Sequence, residues 1–335
     1  MDEARNQPPL VAVVTAVYNG HPYLERTMAC VQAQTYPNLV HIVLDNASTD
    51  DTPDVIAGAS GGRVPIIARR NPALLPQMDN WNAAVAMTPP HARYVKLLAA
   101  DDLMRRDCIE RCAAVAEANP RVEIVTAVDV FDDRVKPHGL DPGRAAFEGR
   151  EILRRLLLGD LHWLPCHHIF FRTTPDRLVK PFSSDYSSDG DFALRLLLDG
   201  QMGFVNAPVF YTRYHKSSVT AGNAADGTLL YPPLGLLERF GHHVLSPEEI
   251  ESQREARLRA ILRFVAWWRA TGRTQFANTN VRRLADLGVK PEAADYLTAI
   301  LTWPSHKFLK TMREMRDRMV SPRKRITEAD FLVSR

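Results

Sequence analysis

Two aspartates, Asp101 and Asp102, stand side by side in KLLAADDLMRRD, directly after an apolar run that reads as a buried strand. Adjacent carboxylates raise each other's cost of ionisation, so a pair at a strand end needs a positive partner or open water. Mg2+ and Mn2+ are suitable partners, because they favour carboxylate oxygens and take only one or two from a protein when phosphates supply more. The same pair would also place negative charge at the N-terminus of the helix expected over RRDCIERCAAVAEA. Spacing alone leaves both readings open. A third acid, Asp45, ends another apolar run, LVHIVLD, ahead of NASTDDT, where it faces a ligand or forms a turn.

The elements that must position these acids follow from the hydrophobic pattern. LVAVVTAV (10–17), LVHIVLD (39–45), RVPIIAR (63–69), RYVKLL and VEIVTAVDVF (122–131) read as strands. YLERTMACVQAQ, PDVIAGA and MDNWNAAVAM (78–87) read as helices between them, the second capped by NASTDDT. Apolar strands alternating with helices predict an α/β fold with a doubly wound, mostly parallel sheet and helices on both faces. Ligands of such sheets collect at the carboxyl ends of the strands, which is where Asp45, Asp101 and Asp102 fall. Beyond residue 131 the pattern predicts a helix in EGREILRRLLLGD, a strand in CHHIFFR (166–172), a helix in DFALRLLLDG and paired short strands in GFVNAPVFYTRYH. From Asp226 onward the chain reads as helical, with EEIESQREARLRAILRFVAWWRA the longest stretch. The expected division is an α/β domain over 1–225, with halves 8–131 and 132–225, and a C-terminal helical extension over 226–335.

The 335 residues are 45% apolar and 24% charged, the composition of a globular protein. No run of 18 apolar residues occurs, and MDEARNQPPL lacks the order of a secretory signal, so the expected location is cytoplasmic. Cys30, Cys108, Cys112 and Cys166 then read as reduced thiols. The net charge of +3 is a property of the tail: nine Lys/Arg face four Asp/Glu from Ser305 onward. The first strand leads into VYNG and not into a glycine-rich dinucleotide loop. A Walker lysine loop and a Gly-x-Ser-x-Gly elbow are also missing from the sequence.

The stretch VTAVYNGHPYLERTMACVQAQTYPNLVHIVLDNASTDDT resembles the opening of inverting family 2 glycosyltransferases of the GT-A fold. NWNAAV, KLLAADDL, SSDGDFALRL and YTRYHKSSVT fit further family elements in order, so the likeness spans residues 8–221. It implies a GT-A fold and transfer of a sugar from a nucleotide-sugar, UDP- or dTDP-linked by preference, to a hydroxyl of a glycan or lipid-linked glycan. By the resemblance, Asp45 accepts from the base, and the turn Ala16, Tyr18, Asn19 lines base and ribose. Asn82 contacts the nucleotide-sugar, while Asp101 holds the ribose and, with Asp102, the Mn2+ or Mg2+ cofactor. Asp189, six residues before Arg195, matches the general base that deprotonates the acceptor. Arg213 matches a diphosphate contact, and His215 a metal ligand. The chain departs from the common pattern at Ala16, where many members have proline. Ala99 stands where an aspartate often precedes the metal pair, and Ser188 where an acid often precedes the base.

Other residues read as structural. Asp191 suits a helix cap, Asp185 a turn, and Trp81 a core position at helical spacing from Val85. His167 and His168 alternate across a strand, where a packed histidine outweighs an acceptor contact. Trp267 or Trp268 is expected to pack on the catalytic domain. In HKFLKTMREMRDRM, Phe308, Met312, Met315 and Met319 share one face of a basic amphipathic helix. That helix suits peripheral contact with an anionic membrane or self-association, and it lacks the aromatic platform of a nucleic-acid binder. Rival readings are a non-catalytic nucleotide- or glycan-binding relative, favoured by Ala99, and a sugar nucleotidyltransferase, disfavoured by the missing glycine loop.

Overall fold

The computed structural model describes residues 7–131, 133–135, 138–161, 169–183, 188–215, 218–301 and 326–331. Two compact units emerge: Met1–Arg213 with Arg325–Arg335, and Tyr214–Lys324. The division thus falls twelve residues before the expected 225/226 boundary, and the end of the chain returns to the first unit.

The first unit runs β1 (Val11–Val17), α1 (Leu24–Gln32), β2 (Leu39–Asp45), α2 (Thr52–Gly58), β3 (Ile66–Arg70), α3 (Gln77–Ala86) and β4 (Tyr94–Leu97). It continues through β5 (Leu103–Met104), α4 (Cys108–Ala118), β6 (Val122–Phe131), β7 (Arg134–Val135), β8 (Ala146–Glu148) and α5 (Gly149–Leu158). β9 (Phe170–Arg172), α6 (Ser188–Asp199) and β10 (Gln201–Thr212) complete it. The sheet order is β3-β2-β1-β4-β9-β6-β10-β5, with β7 on β6 and β8 on β10. β3 to β4 run parallel, as do β6 and β10. β9 lies antiparallel to both its neighbours, β4 and β6.

Alternation along β1 explains why helices cover both faces. Val11 and Val13 pack in one core with Cys30 and Val31 of α1 and Ile109 and Cys112 of α4. Ala12 and Val14 point the other way and are equally buried, and α3 packs on β1 and β2. The charged exception is Lys96 in β4, fully buried with its Nζ 4.2 Å from the Phe210 ring centroid, a cation–π contact. Gly149 opens α5 where a Cβ would lie 1.9 Å from the Leu197 carbonyl oxygen, so only glycine lets α5 approach α6 so closely.

One expectation is corrected. GFVNAPVFYTRYH does not make paired short strands: residues 201–212 form the single strand β10. Register shifts between Val205 and Pro208, and between Pro208 and Phe210, absorb the proline, which has no N–H for the ladder. The proline imitates a turn in the sequence while the bulges keep the strand continuous.

The second unit contains α7 (Val219–Ala225), α8 (Pro232–Phe240), α9 (Pro247–Ala270), α10 (Thr274–Asp286) and α11 (Ala293–Leu301). Ser246 and Glu249 form a capping box at the start of α9. Of the two tryptophans of which at least one was expected on the catalytic domain, Trp268 is buried in this unit's own core with Leu234, Ile261, Leu284 and Ala299, and Trp267 packs against the same core. Among the described residues no helix is long and apolar enough to cross a membrane. The basic stretch 305–319, Cys166, His167, His168 and Asp185 lie outside the described residues.

Candidate active site

The carboxyl ends of β2, β1 and β4 lie in succession, because Val17 pairs with Asp45 and Val14 with Leu97. The loop after β1 is tied to the loop after β2 by short side chains. Ser48 Oγ accepts from Asn19 N at 2.9 Å, Thr52 Oγ1 from Gly20 N at 2.8 Å, and Asn19 Oδ1 from Thr49 N at 2.9 Å. Asn19 sits at φ 49°, a left-handed conformation that asparagine tolerates. A Cβ on Gly20 would lie 2.8 Å from Val17 Cγ2, so this turn needs glycine for space. Asp45 is buried, accepting from Ser48 N at 3.0 Å through Oδ1 and from Arg70 Nη1 through Oδ2. Arg70 Nη2 also reaches Ser48 O at 2.8 Å. Asp45 therefore shapes the turn, paired with an arginine that the sequence reading missed. Tyr18 is about half exposed beside it, and Ala16 is partly buried.

After β4 the chain turns through Ala99–Asp102, with Asp102 N donating to Ala99 O at 3.2 Å. Thr27 Oγ1 of α1 lies 2.9 Å from the carbonyl oxygens of both Ala100 and Asp102. Asp102 is 3% exposed, and its Oδ1 accepts from the Arg213 backbone N–H at 3.0 Å. Helix capping by the pair is thereby excluded: α4 starts at Cys108, and Asp107, clasped by Arg105 and Arg111, stands at its N-terminus. Burial pushes the Asp102 carboxyl well above the usual carboxylate range, and the charges of Asp101 and Asp129 add to it. The Arg213 amide and the buried Lys96 oppose that shift. Such a carboxylate would gain from a cation, and Asp101 offers a second oxygen donor set beside it. Among the described residues no group of three His, Cys, Asp or Glu is gathered to hold a metal. A cation held at this turn would have to take its remaining ligands from outside these two side chains, as phosphate or water oxygens can supply.

The base candidate Asp189 lies in the first turn of α6. It lines a hollow with Leu97 at the end of β4, Met78 and Trp81 of α3, and Phe182. Asn82, expected on the nucleotide-sugar, has its amide engaged by Phe182: Nδ2 donates to Phe182 O at 2.8 Å and Oδ1 accepts from Phe182 N at 2.9 Å. Its contact positions the approach to α6. Asp191 pairs with Arg195 at 3.0 Å across one helical turn, leaving Asp189 as the acid on the hollow. Trp81 is partly buried and turns toward Asp189's hollow.

Residues 12–177 match the family model described as Glycosyl transferase family 2. Over that stretch, just under half of the chain, the sequence is that of glycosyl transferase family 2. Among relatives of this protein, TuaG of Bacillus subtilis (strain 168), named for teichuronic acid biosynthesis, is 34% identical over 112 residues, covering 32% of this chain and 41% of TuaG. Glycosyltransferase GlyG of Streptococcus pneumoniae is 27% identical over 103 residues, covering 30% and 33%. The chain thus spans less than half the length of these curated relatives. Among solved structures, S. aureus TarS 1–349 in complex with UDP-GlcNAc superposes with a TM-score of 0.58 at 14% identity, over 87% of this chain and 79% of that one. Mannosyltransferase PcManGT from Pyrobaculum calidifontis, in complex with GDP-Man and Mn2+, gives 0.54 at 18% identity over 92% and 85%. The shared fold is the GT-A fold.

In this chain the rim of the sheet brings together Asp45, the 16–19 turn, Asp101, Asp102, Arg213 and, through Leu97, Asp189. His215 belongs to the second unit. Besides Arg70, three contributors escaped the sequence reading. Asp129, on β6, faces Asp102's charge and accepts from Thr212 Oγ1 at 3.1 Å; it sits inside a mostly apolar strand. Lys96 was hidden the same way in YVKLL. Glu328 accepts from Arg213 Nη2 at 2.5 Å, from a tail with no local signal of the site.

Proposed function

We propose that this protein is an inverting glycosyltransferase that moves a sugar from a nucleoside-diphosphate sugar to a hydroxyl of a glycan or lipid-linked glycan. The observation that carries this reading is the placement of Asp189 on the hollow lined by Leu97, four residues before the turn of Asp101 and the buried Asp102. A departing diphosphate and an incoming hydroxyl would thereby meet at one rim. The TarS complexes with UDP-GlcNAc and UDP support a uridine nucleotide, and TuaG, named for teichuronic acid biosynthesis, supports a glycan acceptor; UDP- or dTDP-sugars are therefore favoured.

In this mechanism the turn at 16–19 and Asp45 receive the nucleoside. Asp101 and Asp102 would hold Mn2+ or Mg2+, for which the Mn2+ in PcManGT gives support. Bound there, such an ion would supply Lewis-acid stabilisation of charge on the diphosphate. Arg213 adds a fixed positive charge beside them. Asp189 takes the acceptor proton as its oxygen attacks the anomeric carbon, and the single displacement inverts that centre. Asn82 keeps Phe182, and so the approach to Asp189, in register. The direct test screens thermal stabilisation by UDP-, dTDP-, GDP- and ADP-sugars with Mn2+, followed by turnover with the best binder. Stabilisation and sugar release or transfer that vanish with EDTA are expected; a chain inert to all four donors would sink the reading.

A further inference from the structure

Glu328 lies 115 residues beyond Arg213 and 302 beyond Arg26 in sequence, yet one carboxylate oxygen accepts from both, at 2.5 and 2.9 Å. The short segment that carries it is anchored from both sides. Phe331 is 3% exposed, its ring 5.4 Å from that of Tyr211, inside the core that holds α4 and β10. Ile326 packs on the same core. Between them Thr327 and Asp330 close a capping box, Thr327 N donating to Asp330 Oδ2 at 2.8 Å. The carboxylate is thus held in place by apolar contacts and a local turn.

Its partner Arg213 is equally constrained. The side chain is 7% exposed and lies over the Tyr23 ring at 5.2 Å. Nη1 donates to the Asp101 carbonyl, and the backbone N–H holds Asp102 Oδ1. Contacts therefore run from Glu328 through the Arg213 guanidinium to the Asp101 carbonyl, and from the Arg213 backbone to the Asp102 carboxylate. A guanidinium so far from water depends on a fixed counter-charge, and removing one partner of such a pair leaves the other uncompensated. Burial pushes the Glu328 carboxyl up, but Arg213 and Arg26 outweigh it and hold the group below its ordinary range, so it is charged near neutrality.

We propose that Glu328 is a positioning residue for the diphosphate site: it fixes Arg213, and through Arg213 the Asp101–Asp102 turn, in the arrangement that receives a nucleoside diphosphate. The inference rests on the donor site described above. The C-terminal segment would then be part of the working site, contributed from beyond the helical unit.

The test uses the full chain and measures UDP and uridine affinity, each with and without Mn2+, in wild type, Glu328→Ala, Glu328→Gln, Arg213→Ala and the Glu328→Ala/Arg213→Ala double variant. UDP binding should weaken about tenfold in Glu328→Ala and by less in Glu328→Gln, which keeps an acceptor oxygen. Uridine, lacking phosphates, should bind unchanged, and the double variant should be no weaker than Arg213→Ala alone. Donor KM should rise more than kcat falls. Wild-type affinity in Glu328→Ala, equal losses for UDP and uridine, full additivity with Arg213→Ala, or tighter UDP binding would each overturn the proposal, the last by making Glu328 a competitor of the diphosphate. Failure of the wild type to bind UDP at all would overturn the donor-site reading itself.

Discussion

The nucleoside-side loops and the acidic turn share one sheet edge but are built differently. Residues 16–20 and 45–52 are joined by bonds spanning 29 to 32 residues, all inside one strand–helix–strand stretch. The Asp101–Asp102 turn is held by Thr27, Arg213 and, beyond it, Glu328, across gaps of 73 to 115 residues. The first region can be assembled by a local segment. The second exists only once most of the domain has folded around it. Under the proposed function, recognition of the nucleoside would be tied to a short motif, whereas the chemistry would depend on the whole domain.

The largest expected effect lies at the assembled side. Asp189→Asn should lower transfer about a thousandfold while nucleotide affinity stays within twofold, measured by product formation and calorimetry; undiminished transfer would remove Asp189 from the mechanism. Asn82→Ala should cost about 2–3 kcal/mol in urea unfolding, since it strands both backbone groups of Phe182. It should also reduce kcat more than nucleotide affinity, and a variant with unchanged kcat would detach Phe182 from the base.

Beneath the locally built side, burial pushes the His41 imidazole down to about 3, with Thr15 Oγ1 at 3.0 Å from Nε2. The unfolded chain binds that proton near pH 6.5, the folded chain only near 3, so stability is full above 6.5 and declines as pH falls between these values. His41→Gln should remove about 2 kcal/mol of the difference between stabilities at pH 7.5 and 5, read from denaturant midpoints. An identical pH dependence in the variant would refute the buried neutral histidine. The smallest effect is expected from Thr27→Val, about 1 kcal/mol in stability, with UDP binding weakened and uridine binding preserved. Equal weakening of both would erase the distinction between the two regions.

Legibility followed the same division. β2 and β6 occupy the predicted residues, 39–45 and 122–131, because continuous β-branched runs bounded by turn residues have few alternatives. The Asp45 turn and the 16–19 loop were readable from NASTDDT and YNG, where short polar side chains satisfy nearby backbone groups. β5 and β8 were invisible, two and three residues long and defined only by their partner β10. The proline of β10 suggested a break that bulges repair. Asp129, Lys96 and Glu328 carry no local signal, since their roles come from partners far along the chain. Asn82 was legible as important but not as a clamp on Phe182, a contact spanning 100 residues.

The position of β9 has a consequence for synthesis of the chain. Its three residues are the bridge between β4 and β6, so the parallel half ending at β4 and the half beginning at β6 share no ladder until Phe170–Arg172 have emerged. A nascent polypeptide stalled before that point would leave β4 bare on one side and β6 without both β9 and β10, each bare margin a template for pairing with another chain. Pausing of translation ahead of residue 170 should therefore raise aggregation sharply, and release of a few dozen further residues should relieve it.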